Sequence, residues 1–156
     1  MSRLSVQGGG CAILRDVLRD LGETSWAVAY ALRTVRNERR LSLRALAAMM
    51  SEAGYPLSHA TLSEIERGDR RVTVDDLTAL AAVLGVAPVT FLFPIERGGD
   101  GDSGEGEPVR LTGTPEMSKQ QIVDWVRGDT PMCDTDDQHE VEAFRRAALP
   151  RWLWRG

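Results

Sequence analysis

Between residues 42 and 85 one pattern occurs three times: a hydroxyl residue, a stretch with apolar positions three and four apart, and a glycine. Ser42 opens a stretch with Leu46, Met49 and Met50 inward and Gly54 as its stop. Ser58 opens a shorter one with Leu62 and Ile65 that ends at Gly68, and Thr73 opens one with Leu77, Leu80, Ala81 and Leu84 that ends at Gly85. A Ser or Thr at a helix cap accepts a hydrogen bond from backbone N–H groups that the first turn leaves unpaired, and glycine closes the far end in a left-handed conformation. The acids of Thr73-Val74-Asp75-Asp76 also favour the positive end of the helix dipole. Three short helices in close succession cannot each bury a stripe alone, so they must pack on one another.

Flanking segments extend this unit. Thr24 is placed to cap a helix running to about Arg40, with Ala29, Leu32 and Val35 inward, and Pro88 to Leu92 makes a last helical turn. Residues 26–93 therefore read as one domain of about five helices. Residues 1–25 form an N-terminal arm with an amphipathic helix from Cys11 to Leu21, whose stripe either packs on its own domain or makes dimer contacts. Residues 94–108 hold five glycines, five acids and two prolines, a composition that buries no core and reads as a solvated linker. Residues 109–156 read as a small helical region. It has a short extended piece at Val109–Leu111, a helix starting at Thr114-Pro115 and ending at Gly128, and a last helix from about Asp136 to Ala148. Trp152 and Trp154 come after Pro150 and either fold back on the domain or self-associate. The expected fold class is all-α.

Several function classes are excluded. No apolar run is long enough for a membrane-spanning helix, and the N-terminus has no apolar segment of secretory length, so the expected location is the cytoplasm. Cys11 and Cys133 are far apart and fit a reducing compartment without a disulfide framework. Cys133 and His139 are two candidate ligands where structural zinc needs four, so no metal is expected. With no nucleophile–base pair and no phosphate-binding glycine loop, the chain reads as a non-enzyme without a cofactor. The net charge of −4 is uneven: residues 94–156 carry eight basic and thirteen acidic side chains, whereas residues 26–93 carry eight arginines and seven acids. A nucleic-acid module needs a basic face rather than a basic total.

The second and third helices have the composition of a DNA reader. In a helix-turn-helix the second helix lies in the major groove and the first crosses the phosphate backbone. Leu57, Leu62 and Ile65 face inward, while His59, Ala60, Thr61, Ser63 and Glu64 face out. The segments RNERRLSLRALA, ATLSEIERG and LTALAAVLGV, in this order and spacing, resemble the Cro/lambda-repressor-like, or XRE, family of transcriptional regulators. The resemblance covers about 68 residues. The extension Ser51 to Pro56 departs from the family's tight turn and is similar to a subgroup found in high-GC Gram-positive bacteria and their phages. VRLTGTPEMSKQQIVDWVRGDTPM also resembles the segment C-terminal to the domain in that subgroup.

The resemblance implies a lambda-repressor-like fold, a homodimer on a double-stranded DNA operator, and repression by promoter occupancy at the nucleoid. It implies a structural ion pair between Arg36 and Glu66, with Arg36 also near a phosphate. It places His59, Ala60 and Glu64 at base-reading positions, with Thr61 and Ser63 beside them. His59 can donate to guanine or phosphate, or can be a solvated neighbour of the cap; Ala60 suits a thymine methyl and Glu64 a cytosine amine. Arg70 and Arg71 fall where the family's loop runs along the backbone, and Arg39, Arg40, Ser42 and Arg44 surround the N-terminus of the second helix, whose N–H groups favour an anion. Leu43 stands where most members have glutamine, and Glu64 and Asp69 add negative charge. These departures support the competing reading, a protein-interaction module with this fold and weak DNA binding.

Overall fold

A computed structural model describes residues 21–93, 108–133 and 135–154. The expected helix at Cys11–Leu21 and the linker at 94–108 therefore lie almost wholly outside the described residues. Among the latter the chain is helical, with one isolated antiparallel bridge between Val109 and Met117. The helices are α1 (Glu23–Glu38), α2 (Leu43–Glu52), α3 (His59–Arg67), α4 (Val74–Leu84), α5 (Lys119–Val126) and α6 (Gln138–Ala148). Short 3-10 turns occupy Pro88–Leu92 and Arg151–Leu153. None of these helices is long and apolar enough to cross a membrane.

The three caps sit where the hydroxyl residues stand. Ser42 Oγ accepts from Ala45 N–H, Ser58 Oγ from Thr61 N–H, and Thr73 Oγ1 from Asp76 N–H while the Asp76 carboxylate accepts from Thr73 N–H. Inward side chains from four helices and the Pro88 turn make one core: Leu32, Leu46, Met50, Leu62, Ile65, Leu80, Leu84 and Phe91 are fully buried. Helix α3 packs against both α1 and α2, and the Pro88 turn closes the other side against α1 and α4. Gly68 ends α3 with φ 70°, and a Cβ there would stand 2.8 Å from the Trp26 ring. Glycine is thus needed twice over at this position, for the left-handed turn and for the indole that seats the end of α3 on the start of α1.

Two expected helix starts are displaced. Helix α1 begins at Glu23 with Gly22 at the cap, not Thr24. Gly22 has no side chain to offer, and the missing acceptor comes from the tail: Thr112 Oγ1 accepts from Thr24 N–H at 3.1 Å, and Thr112 N–H donates to Thr24 Oγ1 at 2.9 Å. A Cβ on Gly22 would collide with Thr112 Oγ1, so the tail hydroxyl occupies the place of a cap side chain. Arg110 adds an exposed ion pair to Glu23 at 2.8 Å. Likewise Thr114-Pro115 does not start α5. Thr114 Oγ1 instead closes a turn on Leu111, accepting from its N–H and donating to its carbonyl. Ser118 is the true cap, in a reciprocal box with Gln121. The turn lets Leu111 and Met117 meet Ile122 in a second small core.

Thr112→Val keeps the shape and removes the hydroxyl. Loss of a cap acceptor costs about 1 kcal/mol, which urea denaturation of the full chain should register; an unchanged midpoint would refute a cap supplied by the tail.

The Trp-rich end does not fold back. Trp152 is 80% exposed, and Trp154 is held locally, through its Nε1 donating to the Leu149 carbonyl at 3.0 Å.

Candidate nucleic-acid interface

One side chain ties the last turn of α3 to the segment that carries Arg39 and Arg40. Arg36, near the end of α1, donates from Nε to Glu66 Oε1 at 2.5 Å and from Nη2 to Glu66 Oε2 at 2.8 Å. Its Nη1 donates to the Leu41 carbonyl at 2.7 Å. The guanidinium therefore ties three things together: the end of α1, the turn into α2, and the last turn of α3. Both side chains are largely buried, and the hydrogen bond to Glu66 holds the Arg36 pKa above its ordinary value against the opposing effect of burial. An arginine with three committed N–H donors at 13% exposure is poorly placed to meet a phosphate as well. The geometry commits Arg36 to the ion pair and to the Leu41 carbonyl.

The turn that Arg36 grips is unusual at Arg40. The residue has φ 55°, the one non-glycine in the left-handed region among the described residues. Arg40 N–H donates to Asn37 O and Leu41 N–H to Arg36 O, the paired bonds that close a helix over a left-handed residue. For a residue with a Cβ this conformation costs roughly 1–2 kcal/mol. Arg39 and Arg40 are exposed here, next to Ser42 at the cap of α2 and the exposed Arg44 in its first turn. Leu43, where the resemblance expects glutamine, is partly buried against the core.

On α3, His59, Ala60 and Glu64 are exposed, and the opposite face, Leu62 and Ile65, has no exposure. Thr61 and Ser63 are half-buried and partly occupied. The Thr61 hydroxyl lies 3.0 Å from Ser58 Oγ, and Ser63 Oγ accepts from Arg67 Nη1. Arg67 in turn donates to Asp69 at 2.7 Å, so Asp69 is neutralised within the turn that leaves α3. Beyond it Arg70 stands 3.9 Å from the buried Asp76, and Arg71 is exposed. The structure thus presents a helix face with two exposed polar side chains and one small apolar residue, and exposed arginines in the segments before and after it.

Sequence reasoning did not find Arg67 or Tyr55. Arg67 has a visible signal, an arginine four residues after Ser63 and two before Asp69. Tyr55, in the extended turn between α2 and α3, donates from its hydroxyl to Asp76 Oδ1 at 3.0 Å. That bond anchors the Ser51–Pro56 extension to the start of α4 and raises the Tyr55 pKa above its ordinary value. Burial alone would raise the Asp76 pKa, but hydrogen bonds from Thr73 and Tyr55, with the nearby Arg70, hold it below the usual carboxylate value.

A family model described as Helix-turn-helix (HTH_3) matches residues 32–91, from the fully buried Leu32 to the fully buried Phe91. No curated protein and no solved structure matches the chain.

Proposed function

We propose that this chain, whose residues 32–91 match a helix-turn-helix family model, is a sequence-specific transcriptional repressor of the XRE type. It binds double-stranded DNA as a homodimer at an operator with approximate two-fold symmetry, one α3 per half-site, and acts by binding rather than by catalysis. The observation that carries this reading is the left-handed Arg40, in the turn that Arg36 ties to the last turn of α3. Glycine would relieve the backbone, yet the position holds an exposed cation at the N-terminal approach to α2, where a phosphate meets both the guanidinium and free N–H groups. Base readout falls to His59, Ala60 and Glu64, with Thr61 and Ser63 in support. Backbone contact falls to Arg39, Arg40, Ser42, Arg44, Arg70 and Arg71.

The test is selection of bound duplexes from a random pool, then fluorescence anisotropy across a salt series. Glu64→Ala and His59→Ala change which base is preferred, each contact contributing about 1–3 kcal/mol of discrimination. Arg40→Gly behaves differently. It raises stability by about 1 kcal/mol through relief of the left-handed arginine. It also weakens binding to every sequence and lowers the salt slope by about 0.9. Absence of any sequence preference at low salt would sink the repressor reading and favour the interaction module.

A further inference from the structure

Among the described residues the large exposed apolar side chains are unevenly placed. Met132 precedes α6, and Trp152, Leu153 and Trp154 come after it, so four of the six stand at the two ends of one helix. The charges on this segment are segregated in the same way. Asp136, Asp137 and Glu140 lie at its N-terminal end and Arg145, Arg146 and Arg151 at its C-terminal end, all exposed. Val141 packs inward at 6% exposure, while Ala143 and Ala147 face out. The aromatic end is also pre-arranged. Trp154 Nε1 is bonded to the Leu149 carbonyl and the Arg151 guanidinium stacks 5.4 Å over the Trp154 ring, so the turn is held while Trp152 projects.

We infer that residues 132–154 form a homotypic interface in which α6 pairs antiparallel with α6 of a second copy. A two-fold axis near Ala143 brings Glu140 opposite Arg146 of the second copy and the reverse, and carries Trp152 to the partner's Met132 end. A parallel pairing would set acid on acid and arginine on arginine, so the charge pattern selects the antiparallel one. The same operation covers the apolar groups at both ends, which stand exposed among the described residues of one chain. Burying both tryptophans of both copies removes on the order of 600 Å². That is short of the ~1,000 Å² of a stable interface, so the helix faces must join the contact. Two bonds within the chain must yield or share: Arg146 to Glu142 at 3.7 Å, and Thr135 Oγ1 to Glu140 at 2.5 Å. Both are exposed, where such pairs are weak.

This interface deepens the dimeric reading of the repressor and rests on it. Sedimentation equilibrium of the full chain tests it with four variants. Trp152→Ala should raise the dimer dissociation constant at least about tenfold, as truncation of a buried interface aromatic does. Glu140→Arg and Arg146→Glu should each weaken the dimer, and the double variant E140R/R146E should restore it, a rescue that a merely misfolded tail cannot show. A dimer unchanged by Trp152→Ala and by either reversal overturns the interface, even if operator preference is intact. A chain monomeric at all concentrations overturns it as well. Loss of sequence preference with a dimer that obeys the charge swap removes the repressor reading and leaves the interface standing.

Discussion

Glu66→Ala should lower the stability of the DNA-binding domain by about 3–5 kcal/mol, the cost of stripping one partner from a buried pair. The carboxylate is 8% exposed and accepts two bonds from Arg36. Its removal leaves a guanidinium with one remaining acceptor, the Leu41 carbonyl, in a site that water barely reaches. For a domain of this size each kcal/mol moves Tm by about 4–8 °C, so the midpoint of thermal denaturation should fall by roughly 12–40 °C. Against a total of about 5–15 kcal/mol the variant forfeits a large share of its stability. The paired replacement R36M/E66L separates charge from shape, because an apolar pair of similar volume is often neutral. It should recover most of the lost stability while freeing the Leu41 carbonyl and the turn that holds Arg40. A loss below about 1 kcal/mol in Glu66→Ala would mean that solvent screens the pair as it does at a surface.

That contact also marks how far the sequence could be read. The caps at Ser42, Ser58 and Thr73 were legible because the cap hydroxyl and the N–H that donates to it lie three residues apart, and periodicity then placed Leu62 and Ile65 inside. Thr24 satisfied the same local rule and was misread, because its true partner, Thr112, is 88 residues away. Thr114-Pro115 failed for the same kind of reason: the hydroxyl had a better use closing the Leu111 turn, and Ser118 with Gln121 made the stronger box. On the candidate site, residue types were legible but their commitments were not. The spacing of Ser63, Arg67 and Asp69 offers a local signal for Arg67, but nothing in the spacing shows that Arg40 must enter the left-handed region. The Arg40 turn is held by Arg36, which tertiary packing pairs with Glu66. The pairing of Arg36 with Glu66, 30 residues apart, was reachable through family resemblance and not through periodicity.

The departure at Ser51–Pro56 leads to the other large effect. Asp76→Ala should cost roughly 2–4 kcal/mol, about 1 for the lost half of the capping box and about 1–3 for partners left unsatisfied. Asp76 is 1% exposed, accepts from Thr73 N–H and the Tyr55 hydroxyl, and faces Arg70. Tyr55→Phe removes only one of these bonds and should cost about 1 kcal/mol. The effect depends on pH in a definite direction. The Asp76 pKa is lower in the folded chain than its ordinary value. The carboxylate therefore adds its full stability where the unfolded side chain, with a pKa of about 3.9, is already ionised. That contribution is constant above about pH 5 and is lost as pH falls through the depressed folded value. Urea midpoints of the chain and of Asp76→Asn should therefore be well separated near neutral pH and converge below about pH 4. A gap that stayed constant into acid would mean that the Asp76 charge does not anchor the turn. Because Tyr55 is fixed by the same carboxylate, the variant should also loosen the approach to α3, seen as faster amide exchange at residues 54–58 than at the Ser42 cap of α2.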